Sequence, residues 1–183
     1  MGDNPKTAAR EYLKSHTEFE IDRSIPNRVG RVNPRTGEIK DYVLPDPKAD
    51  PHGITTTPDG HVWWAETAGF SLGRIDPKTG EMTRYAMDSS GQAKGRGNTP
   101  DADSKGNVYY TAIAGSMIGK WDVKTGKTKV YTIPVPHHGI ISITPDESRG
   151  IAYISTCADQ RPESSHFMIL DLATGKYRDL MDC

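Results

Sequence analysis

The sequence predicts an all-β protein of many short strands, and three observations lead to this prediction. Glycine and proline are plentiful, with 18 and 13 of the 183 residues, while only 34% of the residues are hydrophobic. Short runs that alternate between apolar and polar side chains stand between turn residues, whereas amphipathic helical runs are missing from these stretches. The same strand–turn–strand pattern recurs four times. Such a chain favours β-strands joined by tight turns over long helices.

A Thr-Gly pair marks each copy of the recurring pattern. The pairs stand at 36–37, 79–80, 125–126 and 174–175, so successive copies lie 43, 46 and 49 residues apart. A period of roughly 40–50 residues is typical of β-propellers and of some solenoids. Since the copies contain strand patterns and no helical ones, the sequence favours a propeller.

The clearest copy covers residues 53–85 and contains four predicted strands. The strands read GITTT, HVWWAE, SLGRID and EMTRY, in this order. The turns at 58–60 and 77–80 carry the Pro, Asp and Gly residues that chain reversal requires. Four antiparallel strands form one propeller blade, so this copy predicts a complete blade.

The other copies predict further blades of the same kind. Residues 99–131 and 139–180 each contain four predicted strands, whereas residues 28–42 supply only a third and a fourth strand. The prediction is therefore a β-propeller segment of about three and a half blades, fewer than the four to eight of a closed ring. We expect a fragment or truncated homologue that self-associates to cover its open blade edges.

Residues 1–27 differ from the repeats and are predicted to form an N-terminal leader. Within it, TAAREYLKSH at 7–16 predicts a short helix that carries its apolar residues on one face.

Charge and composition exclude several classes of partner. The formal net charge is −1, which gives no basis for nucleic-acid binding, and no apolar run approaches the roughly 20 residues of a membrane span. No signal peptide is visible in the polar first 20 residues, so the compartment is not assigned. Cys157 and Cys183 form no CxxC motif, and neither a disulfide framework nor a zinc site is expected.

Repeat geometry brings a set of polar residues to one end of the blades. In each blade, the loop before the first strand and the loop after the second strand lie at the same end. These loops carry histidines, carboxylates and an amide, which are groups that serve in acid–base catalysis and in metal binding. An arginine stands beside them in the long loop SSGQAKGRGN. The candidate residues are Asp50, His52, Glu66, Arg96, Asn98, Asp101, His137 and His138, of which Arg96, Asn98 and Asp101 are the candidates for ligand binding.

Several of the conspicuous residues also have structural explanations. Glu66 has the alternative of pairing with Arg74 or Arg84, and Trp63 and Trp64 are expected to pack between blades. Gly53, which follows His52, is expected to let the backbone turn sharply into the first strand of its blade.

The stretch PHGITTTPDGHVWWAE, followed by SLGRIDPKTGEMTRY, resembles the repeat of the streptogramin B lyase-like family, and the resemblance covers about residues 28–180. It implies a seven-bladed propeller in the full-length lyases, of which this chain carries about half. It also implies a magnesium-dependent elimination that linearises a cyclic depsipeptide antibiotic. The family's Glu-Pro-His-Gly motif is matched by the stretch 50–53, with Asp50 in place of Glu. The family's Pro-His motif is matched by Pro136-His137 or by His138.

This resemblance implies a small-molecule substrate and assigns roles to the candidate residues. Asp50 and Glu66 would be the carboxylates beside Mg²⁺, and His52 or His138 would be the base.

Two other functions fit the same sequence. One is a propeller that binds a protein partner or a small ligand without chemistry. The other is a lactone hydrolase with a channel metal, for which Ca²⁺ is the alternative ion and Asn98 and Asp101 matter more than the histidines.

Overall fold

The computed structural model of this chain describes residues 19–20, 27–88, 95–113, 116–133, 138–158 and 165–180. Within these ranges the ordered elements are all β-strands, so the predicted all-β class is confirmed. The predicted helix over residues 7–16 lies outside the described residues. Among the described residues, no helix is long and apolar enough to cross a membrane.

The chain divides into two compact units, residues 1–51 and 52–183. The first unit contains a three-stranded antiparallel sheet, called sheet 1, with the strand order β1-β2-β3. Its strands are β1 (Phe19–Glu20), β2 (Arg28–Val32) and β3 (Ile39–Val43). The sequence analysis placed β1 in the leader, yet Phe19 pairs with Arg31 and Glu20 pairs with Gly30. Two residues are too few to show a periodic pattern, so this strand cannot be recognised from the sequence.

Three sheets of four strands follow, each with its strands in simple antiparallel order. Sheet 2 has β4 (Pro51–Thr56), β5 (Val62–Glu66), β6 (Ser71–Ile75) and β7 (Met82–Ala86). Sheet 3 has β8 (Gly97–Ala102), β9 (Val108–Ala112), β10 (Met117–Trp121) and β11 (Thr128–Thr132). Sheet 4 has β12 (His138–Asp146), β13 (Ile151–Ala158), β14 (Phe167–Asp171) and β15 (Tyr177–Asp179). These are the three four-stranded blades that the repeats predict.

The turn between the third and fourth strands has the same hydrogen bonds in sheets 2, 3 and 4. In sheet 2, the Asp76 carboxylate accepts the Lys78 backbone N–H at 2.8 Å, and the Asp76 carbonyl accepts the Gly80 N–H at 2.8 Å. Gly80 has φ +79°, a conformation that glycine adopts without strain. The Lys78 backbone N–H, as the largest contribution, lowers the pKa of Asp76. This local chemistry explains why the Asp-x-x-Thr-Gly pattern recurs along the chain.

Large aromatic side chains fill the space between sheets 2 and 3. The Trp63 ring lies 4.7 Å from the Trp121 ring and 5.4 Å from the Tyr85 ring, measured between centroids. Between sheets 3 and 4, Tyr109 packs with Ile154 and other aliphatic residues in one buried cluster. The expectation that Trp63 packs between blades is therefore confirmed.

A glycine in the third strand of sheets 2 and 3 allows an aromatic ring to lie flat on the strand. Gly73 is the cross-strand partner of Trp64, and a Cβ at Gly73 would lie 1.9 Å from the indole ring. Gly119 has the same relation to Tyr110, with a contact of 1.8 Å. The Trp64 ring therefore lies on its own third strand in a way that only glycine at position 73 permits, and its packing between blades stays a prediction.

Candidate functional site

Several sequence-predicted residues of the second unit, among them His52, Glu66 and Asn98, lie at one end of its sheets. Because neighbouring strands are antiparallel, the start of each first strand lies beside the end of the second strand. Gly97 of β8 pairs with Ala112 of β9, and His138 of β12 pairs with Ala158 of β13. We call this edge of sheets 2–4, which includes His52 and Glu66, the site end.

His52 occupies the second position of β4 at the site end, and its ring is partly buried. Its Nδ1 lies 3.3 Å from the backbone carbonyl oxygen of Asn98 in β8. A carbonyl oxygen can only accept a hydrogen bond, so Nδ1 carries the proton of the neutral ring. The basic lone pair is therefore on Nε2, and the contact fixes both the tautomer and the ring orientation.

Gly53 makes the close approach of β4 to β8 possible. It has φ +66°, which confirms the sharp turn expected after His52. A Cβ at this position would lie 2.7 Å from the Asn98 carbonyl oxygen, 2.8 Å from Pro100 Cδ and 2.9 Å from Thr99 Cα. All three atoms belong to β8, so only glycine lets the two strands meet at the place where His52 contacts Asn98.

A bulge in β12 supplies the next contact at the site end. The register of β12 with β13 shifts between Ile140 and Ser142, which leaves Ile141 outside the ladder. The carbonyl oxygen of Ile141 accepts hydrogen bonds from Asn98 Nδ2 and from Thr111 Oγ1, both at 3.3 Å. These two bonds tie sheet 3 to sheet 4 beside the His52 contact.

Asn98 thus contacts two neighbouring strands, β4 through its backbone carbonyl and β12 through its side chain. Its side chain is only 1% exposed, and its Oδ1 has no hydrogen-bond partner among the described residues. Nδ2 donates to Ile141 while Oδ1 keeps its acceptor capacity, and the predicted role of Asn98 in ligand binding stays a prediction.

Glu66 ends β5 and is 0% exposed. Its Oε1 accepts a hydrogen bond from Trp64 Nε1 at 3.1 Å. Its Oε2 accepts bonds from Ser71 Oγ at 2.6 Å and from Arg84 Nε at 2.7 Å. Both oxygens of this buried carboxylate therefore have protein donors, while the Arg84 side chain that pairs with it is 36% exposed. The pairing with Arg84 is one of the two alternatives that the sequence predicts.

The turn beside this ion pair is closely fitted to it. A Cβ at Gly69 would lie 2.7 Å from Arg84 Nη2 and 3.0 Å from Ser71 Oγ. The sequence analysis did not find Ser71 or assign it a role. The signal was present in the strand register, because the short turn after Glu66 makes Ser71 its direct cross-strand partner.

Two further candidate residues lie before β8 and within it. Asp101 was expected in a loop, but it lies within β8 opposite Tyr109, towards the other end of the sheet. Burial raises the pKa of Asp101, although its carboxylate accepts the Ala102 N–H at 2.8 Å. Arg96 is exposed immediately before β8, and its backbone carbonyl accepts the Ile113 N–H at 2.9 Å.

The remaining candidates are only partly described. Asp50 belongs to the first unit, is exposed and has φ +47°. His138 opens β12 by backbone pairing, while its side chain and the whole of His137 lie outside the described residues.

A second histidine–carboxylate pair lies at the site end of sheet 4, and sequence reasoning missed it. His166 Nδ1 contacts Asp179 Oδ2, and the His166 backbone N–H donates to Thr156 Oγ1 at 2.9 Å. No sequence motif joins these residues, because the pairing depends on how β14 and β15 align.

The described residues do not provide a ready site for a divalent cation. Within the part of the chain that the structure describes, no group of three or more His, Cys, Asp or Glu residues could hold a metal ion. Glu66 in this arrangement does not fit a magnesium ligand, because the Arg84 guanidinium already balances its charge. The metal roles of Asp50 and Glu66 stay predictions.

Repeated four-stranded antiparallel sheets, packed face to face through aromatic and aliphatic residues, are the architecture of a β-propeller. Residues 16–161 match the model of the virginiamycin B lyase family. This match covers most of the chain, and the chain belongs to the virginiamycin B lyase family. The resemblance seen in the sequence is thereby confirmed.

Solved structures with the same fold include enzymes and a protein complex. Virginiamycin B lyase from Staphylococcus aureus superposes with a TM-score of 0.71 at 22% identity, over 88% of this chain and 50% of that one. A catalytically inactive His-to-Ala variant of virginiamycin B lyase from Staphylococcus aureus, solved with quinupristin, gives 0.69 at 22% identity, with 88% and 50% coverage. A chain of a nidogen/laminin complex gives 0.64 at 16% identity, covering 84% of this chain and 58% of that one.

These likenesses show the fold alone, and the chain spans about half the length of the lyase structures it matches. A comparison with curated proteins found no match.

Proposed function

We propose that this protein is a lyase that opens a cyclic ester by elimination, with His52 as the base. Family membership supports the reaction class. The observation that carries the assignment of the base is the contact of His52 Nδ1 with the Asn98 carbonyl oxygen. The proposed substrate class is a cyclic depsipeptide, the chemistry that the family resemblance implies.

The contact with Asn98 prepares His52 for this role. With its proton held on Nδ1, the ring presents a basic Nε2, which removes the proton from a carbon next to a carbonyl group. The electron pair of that C–H bond forms a carbon–carbon double bond. The carbon–oxygen bond of the ester breaks and a carboxylate leaves, while the proton passes from His52 to solvent. The bond that breaks joins the ester oxygen to the alkyl carbon, and no water is added. The released proton balances the negative charge of the carboxylate, so the product in its carboxylic acid form is an isomer of the substrate.

The neighbouring contacts support this assignment by fixing where the base lies. Gly53 lets β4 approach β8, and the Asn98 and Thr111 side chains hold β12 against β8 through Ile141. A base that is held in one orientation loses little entropy when the substrate binds, which is a large part of what an active site contributes.

Glu66 is not used as a magnesium ligand in these steps, because the Arg84 guanidinium already pairs with its carboxylate. A requirement for Mg²⁺ is tested separately, by comparing turnover in the presence of added Mg²⁺ with turnover in the presence of a chelator.

The test is an assay of quinupristin opening by wild-type protein, His52→Ala and His61→Ala. His61 is a matched control, since it is a partly buried histidine in the turn before β5, where its Nδ1 lies 2.9 Å from Asp59. We expect the His52 variant to lose about 100-fold or more in turnover, and the His61 variant to stay within about twofold of wild type. Full turnover by a folded His52→Ala protein would refute His52 as the base.

A further inference from the structure

A cavity lies between sheets 3 and 4 at the end of the strands opposite to the site end. Its volume is about 410 Å³, and the turns of these two sheets surround it. Val123, Leu172 and Ala173 give it apolar surface, and Tyr109 lines its inner part. Cavities of this volume are typical binding sites for small organic molecules.

The contact between sheets 2 and 3 is filled by larger side chains at the corresponding place. There Trp121 packs on Trp63, with 4.7 Å between the ring centroids. In sheet 4 the position of Trp121 is taken by Leu170, since each of these residues directly precedes the aspartate of its turn. Leucine is smaller than tryptophan, so the contact between sheets 3 and 4 has more room beside Tyr109.

Three lysines of sheet 3 line the cavity without forming ion pairs. Lys120 belongs to β10, while Lys105 and Lys124 stand in the turns that follow β8 and β10. Lys120 Nζ lies 5.3 Å from the centroid of the Tyr109 ring, which places the ammonium group beside the cavity. The ion pairs of the described residues include none of the three lysines.

Three carboxylates also line the cavity and balance the formal charge of the lysines, but they already hold other donors. Asp103 accepts four hydrogen bonds from its own turn and from Tyr109. Asp122 accepts three hydrogen bonds through Oδ1. Glu147 Oε2 accepts a hydrogen bond from Ser104 Oγ, and Glu147 Oε1 is buried. The free hydrogen-bonding capacity of the cavity is therefore mainly that of the ammonium donors.

We propose that this cavity binds a small carboxylate with an apolar body. The carboxylate group accepts hydrogen bonds from Lys120 and from a neighbouring lysine, and such charge-assisted bonds are stronger than bonds between neutral groups. The apolar body packs on Val123, Leu172 and Ala173. This site is separate from His52, because it lies at the opposite end of the sheets, and it does not depend on the proposed lyase function.

The test measures the binding of cinnamate to the full chain by isothermal titration calorimetry. Wild type is expected to bind cinnamate, and Lys120→Met should weaken binding about tenfold or more, because it removes a charge-assisted hydrogen bond and keeps a side chain of similar length. Lys78→Met is the matched control, since Lys78 is exposed and holds the position of Lys124 in the turn of sheet 2. Its affinity should stay within about twofold of wild type. Circular dichroism establishes that each variant is folded.

A neutral ligand and a filled cavity test the two halves of the proposal separately. Cinnamyl alcohol keeps the apolar body and lacks the carboxylate, so it should bind about tenfold more weakly or less. Ala173→Trp places an indole ring in the cavity and should also weaken cinnamate binding about tenfold or more. Lys78→Trp, at the same position of the turn in sheet 2, should leave binding unchanged.

Three results would overturn the proposal. If wild type does not bind cinnamate, the cavity is not a site for this class of ligand. If Lys120→Met binds cinnamate as wild type does, or if cinnamyl alcohol binds equally well, the ammonium groups do not hold the ligand. If a folded Ala173→Trp protein binds cinnamate with unchanged affinity, the ligand binds outside this cavity.

Discussion

Replacing Gly53 by alanine is expected to destabilise the protein more than the same change at any open turn. Gly53 has φ +66°, a left-handed conformation that costs an L-residue about 1–2 kcal/mol. The new Cβ would also meet three atoms of β8 at 2.7 to 2.9 Å, which no relaxed Cβ contact permits. The two effects act at the same atom and are expected to add.

The magnitude follows from the two contributions. Overpacking against a backbone that cannot move freely costs about 1–3 kcal/mol. Together with the conformational term, the free energy of unfolding should fall by about 2–5 kcal/mol. Gly80→Ala provides the matched control, because Gly80 has φ +79° and a Cβ there would meet nothing within 4 Å. That variant should lose only the conformational term, about 1–2 kcal/mol.

The assay is urea unfolding of both variants and of wild type, followed by circular dichroism. The free energy of unfolding of the Gly53 variant should be lower than that of the Gly80 variant by about 1 kcal/mol or more. This difference is the steric contribution alone. Equal free energies of unfolding for the two variants would refute the close approach of β4 to β8. This result would also remove the geometric basis for the orientation of the His52 ring.

Two further predictions concern charged groups. Arg84→Leu leaves the buried Glu66 carboxylate without its cation and should lower the free energy of unfolding in urea by about 3 kcal/mol. Arg28→Leu breaks the pair with the exposed Asp41 carboxylate and should lower it by about 0–1 kcal/mol, so equal losses would contradict the predicted effect of burying Glu66. For Asp101, burial raises the pKa in the folded state, so the protonated form is favoured there and the contribution to stability is present at low pH and lost as pH rises through the folded pKa. Asp101→Asn cannot titrate, so its stability relative to wild type should increase between about pH 3 and pH 7, and a difference that does not change with pH would contradict this.

The blade architecture was predictable because its signals are local. In each Asp-x-x-Thr-Gly turn, the carboxylate of the aspartate accepts a backbone N–H two or three residues later. The turn therefore has the same structure in sheets 2, 3 and 4. Alternation within short strands then fixes which face is buried, as the burial of Trp63 shows. Both properties depend on residues that are neighbours in the sequence.

The site was less predictable because its contacts join distant strands. The pairing of Glu66 with Arg84 could be anticipated only as one of two alternatives, and the part of Ser71 in it depends on strand register. The bulge at Ile141 shifts the register within β12, and neither Ile141 nor its neighbours Ile140 and Ser142 is a glycine or proline that would indicate the change. Asp101 was expected in a loop before the strand. In the structure β8 already begins at Gly97 and contains Pro100, although proline is uncommon inside a strand.

The most direct test of the account is the mass of the product that this protein makes from quinupristin. Elimination keeps every atom of the substrate, so the account predicts a ring-opened product of unchanged mass that carries a new carbon–carbon double bond and a free carboxylate. Fragmentation in the mass spectrometer would distinguish this linear isomer from the cyclic substrate. A product heavier by one water would identify a hydrolase, and no conversion by folded wild-type protein would contradict lyase function for this chain.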